Sequence, residues 1–146
     1  KNYGTWYALP YAITYFYNVY GPGERAGDDN YGTVVETFKQ NYLKGKSLEV
    51  RMPGTQLRAF THVDDTVEGI VLAGEKGNND EYLISAREMY SLLDLAHMFG
   101  GEVVMLPATD STRTADTEDT SNLEALGWKQ RHTLKEYVDE IKRAKA

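Results

Sequence analysis

An apolar and aromatic run at residues 12–19 (AITYFYNV) limits the possible folds of this chain more than any other segment. It follows Pro10, which blocks a helix, and it ends at the Gly-Pro-Gly turn of residues 21–23. Its β-branched and aromatic side chains favour a strand, and apolar side chains at nearly every position are typical of a strand buried on both faces. The run therefore predicts a strand of a parallel sheet.

Helical and strand-like segments alternate along the rest of the chain. Residues 1–7 are typical of the end of a helix that begins upstream. Apolar spacing and capping residues predict further helices at 33–44, after a cap at Asp64 or Asp65, and at 91–99, 121–126 and 133–145. Short strands are predicted at 48–52, 60–63, 81–85 and 102–106, and a polar loop is predicted at 108–118. This alternation predicts an α/β fold.

The composition argues against several classes of protein. The chain has 22 acidic and 16 basic residues and a formal charge of −6, whereas a nucleic-acid-binding domain normally carries a basic surface. No apolar run reaches the roughly 18 residues of a membrane span and no signal segment opens the chain, so we expect a cytoplasmic protein without a membrane partner. The chain has no cysteine, and its three histidines (His62, His97 and His132) are scattered, so we expect neither a metal site nor a catalytic triad.

Three segments carry a family resemblance. Residues 15–22 (YFYNVYGP) resemble the strand-to-loop signature of the extended short-chain dehydrogenase/reductases (SDRs), which include the NAD-dependent nucleotide-sugar epimerases and dehydratases of the UDP-glucose 4-epimerase type. Residues 53–65 (PGTQLRAFTHVDD) are similar to that family's segment of glycine, Gln or Thr, arginine, an aromatic residue and Val-x-Asp. Residues 119–136, with DTS, LGW, Leu134 and Glu136, resemble its C-terminal helix signature. Because the three segments keep the family's order, the resemblance covers essentially the whole chain.

The resemblance implies the C-terminal part of a Rossmann-like α/β protein without the N-terminal dinucleotide-binding half. Residues 1–23 would be the end of the Rossmann-type portion, with a helix end, a buried strand and the turn. Residues 24–146 would form the substrate-binding portion, in which segment 81–100 returns a strand and a helix to the Rossmann-type sheet.

The cofactor-binding and catalytic motifs of the family are missing from this sequence. The G-x-x-G-x-x-G turn that holds the dinucleotide pyrophosphate does not occur, and the catalytic Tyr-x-x-x-Lys pair of the family belongs to a helix that precedes residue 1. Tyr42 and Lys46 match that spacing, but they lie in the wrong segment, and we interpret the match as a coincidence. We therefore expect NAD or NADP in the parent enzyme, no tight cofactor binding by this chain, and no activity of the chain alone.

The resemblance implies that Asn18 and Arg58 bind the substrate. Asn18 lies at the carboxyl end of the first predicted strand, where parallel sheets bind ligands, and its amide can donate to a phosphate or sugar oxygen. A guanidinium at residue 58 can bind a diphosphate through two hydrogen bonds. The alternatives are an asparagine that satisfies the turn backbone and a surface arginine paired with Asp64 or Asp65.

Four further residues are candidates. The resemblance implies that Tyr17 lies near the nicotinamide of the cofactor, although it is equally typical of a core aromatic residue. Gln56 can add an amide donor or be solvated in its turn, and Arg51 can lie flat over the base. Where relatives carry an arginine before the C-terminal helix, this chain has Thr-Asp-Ser at residues 109–111, so Arg113 is the candidate substitute for binding phosphate.

These observations predict the substrate-binding half of an NAD(P)-dependent nucleotide-sugar epimerase or dehydratase, which binds the nucleotide diphosphate end of a sugar nucleotide, with a UDP-sugar as the first candidate. Epimerisation, dehydration and reduction remain alternative reactions. A non-catalytic nucleotide-sugar-binding or protein-interaction module, or a proteolytic fragment without activity, is the alternative function. An uncovered apolar face at residues 12–19 would favour a homo-oligomer or pairing with the missing N-terminal half.

Overall fold

The computed structural model describes residues 1–25, 32–108 and 119–145. The described helices are α1 (Asn2–Tyr7), α2 (Val34–Leu43), α3 (Val63–Lys76), α4 (Leu92–Phe99), α5 (Ser121–Ala125) and α6 (Leu134–Lys145). The described strands are β1 (Ala12–Phe16), β2 (Val19–Tyr20), β3 (Leu48–Arg51), β4 (Leu57–Ala59), β5 (Thr61–His62), β6 (Asp80–Ile84), β7 (Met89–Ser91) and β8 (Val103–Leu106). Alternating helices and strands with parallel pairing confirm the predicted α/β class.

One parallel strand pair, β1 with β6, carries a small hydrophobic core. Helix α3 packs on both strands. Gly69 permits this close approach, because a Cβ at that position would come within 3.0 Å of the Ile84 side chain. Leu123 and Trp128, from the C-terminal region, are buried in the same cluster. The last quarter of the chain therefore covers a sheet whose two strands both precede it in the sequence.

A second parallel pair, β3 with β8, carries the larger core. Side chains of β3 alternate between buried and exposed, as expected for a strand with one covered face. Helix α4 packs against β3, α2 and α6. Its start is fixed by a capping box in which the Ser91 hydroxyl accepts from the Asp94 N–H and the Asp94 carboxylate accepts from Ser91. The helices contribute buried Val35, Phe38, Leu95, Phe99, Leu134 and Val138.

Two short strand pairs lie between these units. β2 pairs in parallel with β5, and β4 pairs antiparallel with β7. Between β1 and β2, Asn18 has a φ of 47°, in the left-handed region that asparagine tolerates better than most residues. This turn of the backbone places residues 17–20 beside residues 57–62, and the candidates Tyr17, Asn18 and Arg58 come from these two segments.

The run at 12–19 differs from its prediction in two respects. It forms two strands instead of one, because the left-handed backbone of Asn18 interrupts the extended conformation. It is also not buried on both faces: residues 12–14 of β1 are half-buried, whereas Tyr15, Phe16 and Tyr17, at and just after its carboxyl end, are exposed. In the described part of the chain, the carboxyl end of the predicted buried strand is therefore uncovered.

Other sequence-based expectations also need correction. His62, rather than Asp64 or Asp65, caps α3, because its Nδ1 accepts the Asp64 N–H at 3.2 Å. In segment 81–100 the strand pairs with β1 and α4 packs into the larger core, and the predicted return of this segment to a Rossmann-type sheet stays a prediction. The division at residues 23 and 24 stays a prediction. Residues 109–118 of the predicted polar loop lie outside the described residues.

No helix in the described ranges combines the length and apolarity that crossing a membrane requires.

Candidate functional site

A hollow of about 490 Å³ opens beside the carboxyl end of β1. Its volume falls in the range of small-molecule sites. It brings together three of the residues singled out from the sequence, Tyr17, Asn18 and Arg58. The other lining residues are Phe16, Val19, Gly32, Thr33, Val34 and Phe60. The wall is therefore mostly apolar and aromatic, with a small number of polar groups that can orient a ligand.

Asn18 forms hydrogen bonds with the neighbouring strand. Its Nδ2 donates to the carbonyl oxygen of Ala59 at 3.1 Å, and its own carbonyl oxygen accepts the Thr61 N–H at 3.3 Å. The Asn18 side chain thus does hydrogen-bond the backbone, as in the alternative to ligand binding that the sequence left open. A carboxamide has a second N–H and an acceptor oxygen, and these have no hydrogen-bond partner among the described residues, so Asn18 can hold the strand and contact a ligand at once.

Arg58 lies in β4, where it faces Tyr90 of β7 across the antiparallel pair. Within the described residues it forms no ion pair, so the alternative of a surface arginine paired with Asp64 or Asp65 is not observed there. The Asp65 carboxylate instead accepts hydrogen bonds around His132. A guanidinium at the wall of the hollow that pairs with no carboxylate of the described residues is suited to an anionic ligand.

The remaining candidates have different positions. Tyr17 is 50% exposed at the wall of the hollow, so it is not a core aromatic residue. Gln56 is buried, and its Oε1 has no partner in the described part of the chain. Neither Gln56 nor Arg51, which is exposed at the end of β3, is among the described lining residues. Arg113 lies outside the described residues.

The N-terminal end of α2 also borders the hollow, through Thr33 and Val34. The Glu24 carboxylate accepts both the N–H and the hydroxyl of Thr33, at 2.6 and 3.0 Å. An acidic group is favourable at this end of a helix. Because Glu24 already occupies the donors of Thr33, Arg58 and Asn18 are the side chains of the described wall that can donate to an anion.

A polar cluster at the start of α3 was not found from the sequence. Asp65 is 1% exposed, and its carboxylate accepts the backbone N–H groups of Arg131 and His132 and lies 2.9 Å from Nδ1 of His132. The His62 and His132 rings stack with centroids 4.3 Å apart. Burial lowers the pKa of His62, and His132 lowers it further. The expectation that the histidines are scattered is therefore wrong for this pair.

Tyr42 supports the interpretation of the Tyr-x-x-x-Lys match as a coincidence. Its ring packs on Phe99 of the larger core at a centroid distance of 5.7 Å, and the Lys145 ammonium lies 3.9 Å from the ring centroid. Tyr42 is not among the described residues that line the hollow. These contacts indicate a packing role.

Comparison with known proteins gives a consistent set of similarities. Residues 1–85 match the model of the NAD dependent epimerase/dehydratase family. The chain is 29% identical over 142 residues to UDP-glucuronic acid decarboxylase 5 of Arabidopsis thaliana, covering 92% of this chain and 41% of the relative. It is 37% identical over 89 residues to UDP-N-acetyl-alpha-D-glucosaminuronate decarboxylase of Bacillus cytotoxicus, covering 60% of this chain and 27% of the relative.

The fold has close counterparts among solved structures. The crystal structure of UDP-glucose 4-epimerase from Thermotoga maritima with UDP-glucose superimposes with a TM-score of 0.86 at 25% identity, covering 98% of this chain and 49% of that chain. The chain thus spans about half of this structure and about two fifths of the first curated relative.

Proposed function

Since this chain belongs to the NAD dependent epimerase/dehydratase family, we propose that it is the substrate-binding part of a nucleotide-sugar enzyme and binds the nucleotide diphosphate end of a UDP-sugar. The observation that supports this most directly is the shared position of Tyr17, Asn18 and Arg58 at one hollow. Tyr17 and Asn18 come from the motif at residues 15–22 and Arg58 from the motif at residues 53–65, and the meeting of these two motifs at one cavity supports a common role.

The chemistry of the hollow suits a ligand with a charged end and a flat end. The Arg58 guanidinium can bind two diphosphate oxygens at once. The second N–H of Asn18 can donate to a phosphate or sugar oxygen. Phe16, Tyr17 and Phe60 provide aromatic surface at the same wall, against which a sugar or base can pack. The roles of Gln56, Arg51 and Arg113 in binding stay predictions.

The cofactor of the family fits this chain only in part. The exposed Tyr17 ring can contact a nicotinamide, but the 146 residues contain no G-x-x-G-x-x-G turn to hold a dinucleotide pyrophosphate. We therefore assign no redox step to these residues and propose that they hold the substrate for chemistry performed by groups outside this sequence.

An interaction surface is the second candidate function. Tyr3, Trp6, Tyr7 and Phe16, from α1 and β1, are all exposed. Exposed apolar area of this kind is typical of a surface that meets another polypeptide. We propose that it pairs with the N-terminal half of the enzyme or with a second copy of the chain.

Titration calorimetry tests the substrate proposal. UDP, UDP-glucose and the corresponding dTDP and GDP sugars are titrated into the wild-type chain, Arg58→Ala and Arg143→Ala. Loss of a charge-assisted hydrogen bond of about 1.5–3 kcal/mol predicts a loss of affinity of about tenfold to a hundredfold for Arg58→Ala. Arg143, exposed on α6, is the matched control for the lost charge. Equal affinities of the two variants would contradict the proposal, as would the absence of any sugar-nucleotide binding.

A further inference from the structure

We propose that His62, Asp64 and His132 form a binding site for a divalent transition-metal ion of the Zn²⁺ class. The site lies at the start of α3 and shares no described residue with the lining of the hollow. It is therefore separate from the proposed substrate site.

The three side chains supply a compatible set of ligands. One ligand atom from each residue lies within 4.8 Å of the other two. Asp64 Oδ2 is 3.7 Å from His62 Nδ1. Two imidazole nitrogens and one carboxylate oxygen are typical of three-ligand zinc sites, in which water completes the coordination, whereas Mg²⁺ and Ca²⁺ prefer oxygen ligands.

The cluster has the mobility that closing around an ion requires. Metal bonds of about 2.0–2.2 Å bring ligand atoms closer together than they lie here. The Asp64 side chain is 68% exposed and can rotate, whereas the His132 ring is held by Asp65 and His62 lies among buried neighbours. A rotation of Asp64 and a small shift of the stacked His132 ring, which keeps its contact with Asp65, bring the ligand atoms together.

Asp65 is the strongest argument that the cluster is built for a cation. Its buried carboxylate lies 2.9 Å from Nδ1 of His132, and the backbone N–H groups of Arg131 and His132 hold its other oxygen. A hydrogen bond from Nδ1–H to a carboxylate leaves the lone pair of Nε2 free and makes this nitrogen a better metal ligand. Histidines that bind metals usually donate their second ring N–H to a carboxylate in this way.

One existing contact opposes binding. His62 Nδ1 accepts the Asp64 N–H and caps α3, and a metal at that nitrogen replaces a cap worth about 1 kcal/mol. The carboxylates of Asp64 and Asp65 offset this cost by supplying negative charge at the site. We therefore expect reversible binding instead of a metal that the fold requires.

The test uses the untagged chain, so that no affinity tag contributes histidines. Zinc is titrated by calorimetry into the wild type, His132→Ala, Asp64→Asn and the control His97→Ala, which changes an exposed histidine of α4. We expect one zinc per chain in the wild type and the control, and at least about tenfold weaker binding in the two site variants. Circular dichroism establishes that each variant is folded.

Cobalt provides a second readout, because visible absorption of Co²⁺ reports nitrogen coordination and low coordination number directly. Absorption bands of tetrahedral cobalt that disappear in His132→Ala support the site. No zinc binding at micromolar concentration, equal weakening by His97→Ala, or displacement of zinc by millimolar Mg²⁺ would overturn the proposal. None of these results depends on sugar-nucleotide binding, so the two proposals fail separately.

Discussion

The Asn18 carboxamide donates to the carbonyl oxygen of Ala59 at 3.1 Å, which joins the turn after β1 to the residue that follows Arg58. The two candidate ligand-binding residues are therefore mechanically connected. A change at Asn18 is expected to alter both the local backbone and the position of Arg58.

Substitutions at Asn18 separate the hydrogen bond from the backbone conformation. Asn18→Gly keeps access to the φ of 47° and loses the bond to Ala59, so we expect it to lower the free energy of unfolding by about 1 kcal/mol. Asn18→Ala loses the same bond and also strains the left-handed backbone, so we expect its free energy of unfolding to fall by about 1 kcal/mol more than that of Asn18→Gly. Urea unfolding followed by circular dichroism measures both values. An alanine variant as stable as the glycine variant would show that the backbone relaxes at this position.

Two glycines of α3 are expected to respond oppositely to alanine. At Gly69 a Cβ would meet the Ile84 side chain at 3.0 Å, so Gly69→Ala is expected to lower the free energy of unfolding by about 1–3 kcal/mol. At Gly74 no atom lies within 4 Å of an added Cβ, and Gly74→Ala is expected to raise it by about 0.5–1 kcal/mol through helix propensity. Thermal unfolding of the pair is the measurement, and destabilisation by Gly74→Ala would contradict this packing of α3.

Asp65→Asn tests the buried carboxylate. The change removes the charge that accepts the two backbone N–H groups of Arg131 and His132, so we expect a loss of about 2–3 kcal/mol in the free energy of unfolding. Asp139→Asn, at an exposed position of α6, is the matched control and is expected to change stability by less than about 0.5 kcal/mol. Urea unfolding without added metal compares them. Similar small effects would mean that the cluster does not hold the C-terminal segment on α3.

The capping box of α4 predicts a pH dependence. Hydrogen bonds from the Ser91 hydroxyl and the Ser91 backbone lower the pKa of Asp94 below its ordinary value of 3.8. Since the folded pKa lies below the unfolded one, ionised Asp94 stabilises the fold above the unfolded pKa, and this contribution is lost as the pH falls through the folded pKa. Asp94 is exposed, so we expect a few tenths of a kcal/mol.

The measurement for Asp94 is the difference in free energy of unfolding between the wild type and Asp94→Asn. It is expected to be largest at about pH 7 and to shrink below about pH 4. A constant difference across this interval would show that the charge of Asp94 does not contribute.

Local signals allowed much of the fold to be predicted. The start of α2 follows from the apolar spacing after Thr33, and that of α4 follows from the cap at Ser91, whose hydrogen bonds with Asp94 reach only three positions along the chain. The break in the first strand could not be predicted, because the left-handed turn at Asn18 depends on a carbonyl 41 positions away. A run of apolar residues also cannot reveal which of its two faces the rest of the chain covers.

The candidate site was likewise predictable only where local sequence motifs identify its residues. Asn18 and Arg58 could be chosen because each lies in a recognisable motif, and the structure brings them to one hollow. The pair of Asp65 and His132 lies 67 positions apart in sequence, and no spacing rule connects them. The motif containing Asp65 and the segment after Trp128 are informative separately, but their contact is a property of the folded chain.

The two tryptophans of the chain have opposite surroundings, since Trp128 is 1% exposed and its Nε1 donates to the Asp65 carbonyl oxygen, whereas Trp6 is 69% exposed. Indole emission shifts to longer wavelength in water, so native fluorescence is the sum of a short-wavelength component from Trp128 and a long-wavelength component from Trp6. Unfolding therefore shifts the emission of Trp128 to longer wavelength and leaves that of Trp6 nearly unchanged. Replacing Trp6 with phenylalanine would therefore leave a single intrinsic fluorophore that follows the detachment of the C-terminal segment from α3 in real time.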